Sequence, residues 1–249
     1  MPQLDNKIAL VTGASKGIGA AIAEALAAAG AAVAVNYSTS REGAEAVVAR
    51  IEKAGGRAVA VGGNVGKPGD AKRIVDEASR ALGGPVGILV NNAGVYHMQP
   101  LAEITEDEYR RQFDTNVWGL LATSQAVAAQ LGETGGSIIN ISSIAARGSF
   151  PGSAVYSGTK GAVDTITNVL ARELGPKGVR VNSLSPGLVV TEGTHAAGII
   201  GTEFEQGAVA GTPLGRVGQP TDIADAAVFL ASDAARWVTA QVIEASGGA

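Results

Sequence analysis

Tyr156 and Lys160 stand four residues apart in a stretch of helical character, so their side chains share one face and can meet. A free phenol has a pKa of ~10 and moves protons sluggishly at neutral pH. An adjacent ammonium stabilises the phenolate and brings that value down. The pair is expected to act as a general acid–base couple, a device worth roughly 10²- to 10⁴-fold in rate. A tyrosine lying over a lysine stem is also ordinary helix surface, so the neighbours decide. Ser143 closes a β-branched run at the strand end where a parallel sheet keeps its ligand crevice, and its hydroxyl can orient a substrate oxygen against the phenol. Strand alternation points Ser142 and Ser143 to opposite sides.

A second constellation could hold phosphate. Thr12-Gly13-Ala14-Ser15-Lys16-Gly17-Ile18-Gly19 follows a short apolar strand and opens an alanine-rich helix. Gly13, Gly17 and Gly19 allow a tight turn whose bare backbone, with that of Ser15, Lys16 and Ile18, meets a pyrophosphate at the helix N-terminus. The end of the second strand then selects the dinucleotide. A carboxylate there would bond the ribose 2′-hydroxyl of NAD and repel the 2′-phosphate of NADP. The residues are instead Asn36-Tyr37-Ser38-Thr39-Ser40-Arg41, and Glu42 already belongs to the next helix. NADP(H) is therefore the expected cofactor, its 2′-phosphate met by Ser38, Asn36 and Tyr37, with Lys16 or Arg41 adding charge.

These groups need a frame that gathers several strand ends. Short β-branched runs at 8–11, 33–36, 58–61, 88–90, 137–141, 179–184 and 241–243 alternate with helical patterns near 18–29, 41–54, 69–82, 106–131, 153–174 and 221–232. Strands that are apolar throughout and separated by helices predict an α/β fold with a seven-stranded parallel sheet covered on both faces, as one domain over 1–249. Gly30, Gly55-Gly56 and Gly83-Gly84-Pro85 end helices. The segment 188–219 is too long for a plain connection and is the expected substrate loop.

Composition narrows the partners. Glycine fills 35 of 249 positions without a G-X-Y period, which fits many tight turns and excludes a collagen-like chain. A net charge of −4 offers no broad basic surface, so neither nucleic acid nor an anionic membrane is expected as a partner. The absence of cysteine excludes disulfides and thiolate chemistry, and two histidines, His97 and His195, are too few for a histidine-rich metal cluster. Residues 1–7 lack the pattern of a secretory leader, and the apolar window at 20–35 is too short to span a bilayer. A soluble cytoplasmic protein is the expectation.

Thr12 to Gly19, Asn91-Asn92-Ala93-Gly94, Asn116, Ser143, Tyr156-Ser157-Gly158-Thr159-Lys160 and Pro186-Gly187, in that order through nearly the whole chain, resemble the short-chain dehydrogenase/reductase family. The resemblance implies a single doubly wound, Rossmann-type domain and a homotetramer, with the helices at 106–131 and 153–174 as contact surfaces. It selects Ser143 over Ser142 by spacing, and implies that Tyr156 exchanges a proton with a carbonyl oxygen held by Ser143 and that Lys160 also bonds the nicotinamide ribose. Asn116, a mediocre helix former, would bend its helix and hold a water that relays protons to the lysine. Asn92, Ala93 and Gly94 would make room for the adenosine half, and Asn64 and Val65 would flank the adenine, although many relatives carry aspartate where Asn64 stands. Pro186-Gly187 would bare the backbone beside the nicotinamide, with Val189 and Thr191 fixing its carboxamide. Glu244 stands near a position where relatives commonly carry aspartate, which bears on subunit packing at this end. Phe150 is expected to wall the substrate pocket, Trp118 to wall it or to join the core, and His97 and His195 to lie at its margin or on the surface.

The activity so implied is an NADP(H)-dependent carbonyl reductase acting on a ketone or secondary alcohol, similar to bacterial 3-oxoacyl thioester reductases and to small-ketone or sugar reductases. No basic cluster is evident for docking an acidic carrier protein, so a free small carbonyl compound is the preferred substrate. A non-catalytic NADP(H)-sensing module is the competing class. An epimerase or dehydratase usually adds a substrate domain for which this length leaves little space.

Overall fold

The computed structural model describes residues 4–132 and 134–249; the first residues of the 1–7 stretch read above, 1–3, lie outside the described residues. Seven strands form one parallel sheet: β1 (Ile8–Val11), β2 (Ala32–Tyr37), β3 (Arg57–Gly62), β4 (Ile88–Asn91), β5 (Gly136–Ile141), β6 (Val179–Pro186) and β7 (Val242–Ala245), in the order β3-β2-β1-β4-β5-β6-β7. The helices are α1 (Gly17–Ala28), α2 (Arg41–Lys53), α3 (Asp70–Leu82), α4 (Glu106–Phe113), α5 (Gly119–Leu131), α6 (Ala154–Leu174), α7 (Glu192–Ala196), α8 (Glu203–Gly211) and α9 (Pro220–Ala231).

The apolar strands bury both of their faces. Ala9 and Val11, Val33 and Val35, Ile139 and Ile141 meet α1, α2 and α9, whereas Leu10, Ala34, Leu89, Ile138 and Val181 meet α3, α5 and α6. Fully buried side chains such as Leu10, Ile74, Ile138 and Leu184 contribute about 1.5–3 kcal/mol each. That burial on two faces explains why the strands read as unbroken apolar runs. Beneath the site the sheet is polar as well. Asn91 donates to Ser124 Oγ at 3.0 Å and Asn140 Oδ1 at 2.9 Å, accepts from Thr123 Oγ1 at 2.6 Å, and Asn140 donates to Thr167 Oγ1 at 2.9 Å. This satisfied network ties β4 and β5 to α5 and α6.

Register places β1 between β2 and β4, with Ala9 opposite both Val33 and Ile88. The chain winds outward through β2 and β3, then returns to start the other half at β4. A crevice opens above the carboxyl ends of β1 and β4, where successive connections leave in opposite directions.

Two expectations change. The helix expected over 106–131 is three pieces: α4, a π-helical turn at Asp114–Trp118 and α5. Asn116 sits in the π turn, where the ladder is interrupted. The segment 188–219 is not a plain loop: it carries α7 and α8, and its ends are tied by Val190 N–H to Gly218 O at 3.0 Å and Gly218 N–H to Leu188 O at 2.9 Å. It is a closed excursion rather than a slack connection. Among the described residues no helix is long and apolar enough to cross a membrane.

Candidate active site

The glycine turn is held from beneath by side chains. Gly13 adopts φ +62°, a backbone state that suits glycine, and a Cβ there would lie 2.8 Å from Ala93 Cα. A Cβ on Gly19 would lie 2.7 Å from Gly13 O and would also press on the Asn92 amide. Thr12 Oγ1 accepts from the N–H groups of Asn92 and Ala93, both at 3.0 Å, while Asn92 Nδ2 donates to Thr12 O and Gly13 O at 2.9 and 3.0 Å. The turn and the end of β4 are thus one unit, and its bare, outward backbone at the start of α1 fits a pyrophosphate. Ser15 and Ile18 are partly buried, Lys16 is exposed, and Ile18 lines the crevice.

Across the crevice, β5 ends at Ile141 and the chain passes through Ser142 and Ser143. Ser142 Oγ donates to Lys160 O at 3.3 Å, turned away from the opening. Ser143 accepts from Ala145 N–H at 3.1 Å and lines the crevice together with the Tyr156 phenol. Tyr156 and Lys160 come from the first turns of α6, and the lysine Nζ donates to Ile141 O at 2.8 Å, 5.6 Å from the tyrosine ring centroid. Asn116 Oδ1 accepts from Val95 N–H at 2.8 Å, and its Nδ2 donates to Val95 O at 2.9 Å and to Thr159 Oγ1 at 3.0 Å. The asparagine therefore binds the loop after β4 to the residue preceding Lys160. Gly94 sits between them: a Cβ there would lie 3.4 Å from Asn116 Oδ1 and 3.7 Å from Lys160 Nζ. Pro186, Gly187, Val189 and Thr191 line the same crevice, and Thr191 and Thr194 form a reciprocal cap at the start of α7.

A family model described as enoyl-(acyl carrier protein) reductase matches residues 13–249. An uncharacterized oxidoreductase of Methylorubrum extorquens is 58% identical over 248 residues, covering 100% of this chain and 99% of its own. A 3-oxoacyl-(acyl-carrier-protein) reductase of Staphylococcus epidermidis is 41% identical over 244 residues, covering 98% of each chain. This chain belongs to the short-chain dehydrogenase/reductase family. The crystal structure of the angucycline C-6 ketoreductase LanV with bound NADP superposes on this short-chain dehydrogenase/reductase with a TM-score of 0.92 at 39% identity, covering 99% of this chain and 96% of that one. The reaction class is the family's, hydride exchange between a nicotinamide and a CH–OH/C=O group on a small-molecule substrate.

Several residues of this dehydrogenase/reductase do other work than expected. Asn36 is buried, and its amide is spent on Gly13 N–H at 3.2 Å and on Val61 O and Gly63 O at 3.1 Å each. It braces the glycine turn and has nothing left for a 2′-phosphate. The Tyr37 hydroxyl lies back over Gly62, where a Cβ would meet it at 3.0 Å. Ser38 and Lys16 stay exposed at this edge, and Arg41 pairs through Nε with Glu45 at 2.7 Å. Asn64 turns its Oδ1 onto Gly66 N–H at 3.0 Å and gives its backbone N–H to Asp70 Oδ2 at 2.8 Å, while the Val65 side chain packs into the core beside Gly119. Phe150 folds over Gly148 outside the crevice, and Trp118 stands half exposed on the helix surface, neither pocket wall nor core. His97 and His195 are exposed and do not line the crevice. Glu244 pairs with Arg147 at 3.3 Å, joining β7 to the segment after Ser143.

The electrostatics also differ. The ammonium was expected to bring the phenol down, yet burial raises Tyr156 above the usual tyrosine range, against the pull of the Ser143 hydrogen bond, and the nearby Tyr96 adds to the rise. Lys160, deeply buried, falls to about 8. The ammonium is directed to the Ile141 carbonyl, and desolvation is the leading cause of both shifts.

Sequence reasoning passed over Tyr96. Its ring meets that of Tyr156 edge to face at 5.9 Å between centroids and 62°, and its hydroxyl donates to Gly193 O at 3.2 Å. The residue stands two past Gly94, but no periodicity points its ring inward; the Asn116 clasp on Val95 does. Thr159, as the partner of Asn116, was equally silent.

Proposed function

We propose that this enzyme is an NADP(H)-dependent carbonyl reductase acting on a free ketone or secondary alcohol. The observation that carries the reading is the convergence of Ser143, Tyr156 and Lys160 on the crevice that the glycine turn borders. A bound nicotinamide supplies or accepts the hydride. Ser143 Oγ holds the substrate oxygen, and Tyr156 Oη gives that oxygen its proton in reduction and takes it back in oxidation. Lys160 keeps the phenolate tolerable when its ammonium turns from Ile141 O toward Tyr156. Asn116 fixes the loop between them. The glycine turn holds the pyrophosphate; Ser38 just past β2, where no carboxylate stands, and Lys16 in the turn favour the 2′-phosphate of NADP(H), with Arg41 adding charge once it leaves Glu45.

Three arginines near the crevice, Arg111, Arg147 and Arg216, each pair with a carboxylate, Glu108, Glu244 and Asp222. That pairing leaves little free positive charge for an acidic carrier protein and favours a free substrate. The staphylococcal relative keeps a 3-oxoacyl thioester as the second reading. The reading also makes the enzyme a cytoplasmic homotetramer, with exposed Trp118 and Val169 on the α4 to α6 face as contact residues.

The test is loss of NADPH absorbance with a panel of ketones, ketoesters, sugars and acyl thioesters, repeated with NADH at equal concentration. Tyr156→Phe is expected to bind NADPH normally and to lose 10²-fold or more in turnover. Retained turnover would remove Tyr156 as the acid, a clear NADH preference would refute the argument from β2, and NADPH binding without turnover of any compound would favour a sensor.

A further inference from the structure

We propose that Tyr96 is the specificity-determining residue of this pocket, its ring forming the wall on which an uncharged, ring-bearing ketone lies beside Tyr156. The inference rests on the carbonyl-reductase reading and names a substrate class for it.

Tyr96 is clamped at both ends. Asn116 bonds both backbone groups of Val95, one residue before it, and the Tyr96 hydroxyl donates to Gly193 O in α7 at 3.2 Å. Its ring is not core filler, since 40% of the residue is exposed while it lines the crevice with Tyr156. The two rings stand edge to face at 5.9 Å. A ketone whose oxygen reaches Ser143 and Tyr156 must therefore lay a substituent along Tyr96. The lining adds aliphatic side chains, Val95 and Leu188 among them, and uncharged polar ones, Ser142 and Thr194 among them, and Lys160 is the only charged side chain among the described residues there. That ammonium is turned to the Ile141 carbonyl at 2.8 Å. No second cation stands ready for a carboxylate or phosphate on the substrate, whereas an aromatic wall rewards a planar or cyclic substituent by up to about tenfold. The hydroxyl bond to Gly193 keeps the ring in this pose and ties the excursion over the crevice to the loop after β4.

The experiment compares wild type, Tyr96→Phe and Tyr96→Ala with NADPH on two neutral ketones of equal carbon number, one aryl and one open-chain alkyl. The wild type is expected to favour the aryl ketone in kcat/KM. Tyr96→Ala should shrink that preference by about tenfold, with the NADPH Kd within twofold of wild type by fluorescence titration. Tyr96→Phe should lower kcat/KM roughly threefold to tenfold on both ketones alike, the cost of one hydrogen bond, and keep the preference. Should Tyr96→Ala fail to fold, Tyr96→Leu, which keeps bulk without a ring, reads the same ratio. An aryl-to-alkyl ratio unchanged by loss of the ring overturns the proposal, as does a wild type that favours the alkyl ketone. Wild-type turnover of neither ketone overturns this inference, and only NADPH binding without turnover of any compound in the panel above sinks the carbonyl-reductase reading as well, which separates the two failures.

Discussion

Lys160 holds its charge in a site that disfavours it. Burial takes it to about 8, against ~10.4 for a lysine in an unfolded chain. Between those values the unfolded chain binds the proton that the folded chain has released, so stability rises with pH across the window; the gain is complete above the unfolded value and is lost as pH falls through about 8. Thermal unfolding of the cofactor-free enzyme from pH 7.5 to 10.5, set against Lys160→Met, should show the wild type gaining relative to the variant as pH climbs. A difference that stays flat would mean that the ammonium is not held in a dry site. The i, i+4 spacing of Tyr156 and Lys160 was legible in the sequence because a helix enforces it. The direction of the ammonium was not, since its partner Ile141 O belongs to a different element and is a backbone atom, available on any residue.

At the scale of elements, alternation of apolar runs with helical patterns was readable because the inner strands hide both faces, and edges moved by only a residue or two. The use of Asn36 was not. An asparagine at a strand end can look outward to a ligand or inward to a turn, and the choice depends on Val61 and Gly63 arriving from β3. Asn36→Ala would leave Gly13 N–H and two carbonyls short of a partner, a loss of roughly 1–3 kcal/mol. Urea unfolding should show that loss, and NADPH titration should show weaker binding from a less firmly held turn. Wild-type values in both would return Asn36 to the role of a surface donor. The excursion from 188 to 219 resisted reading for a related reason: α7 and α8 are short, and the bond that closes it pairs Val190 with Gly218 across the whole segment.

At the scale of the whole molecule, the tetramer proposed above would use the exposed apolar residues between α4 and α6. Trp118 is 49% and Val169 47% exposed, too much for either to be core. On the proposed tetramer, Trp118→Glu with Val169→Glu is expected to shift the mass by light scattering from four chains to two or one, with the circular dichroism of the folded chain unchanged. An undiminished mass would clear that face. The same surface depends on the π turn at Asp114–Trp118. One surplus residue in such a turn rotates everything downstream by about 100° around the helix axis. Excising a single position there would yield a more regular rod with a stronger helical spectrum, yet it would swing the Asn116 amide off Val95 and turn the outer stripe out of phase. Greater local order would come with a poorer catalyst and a lonelier one.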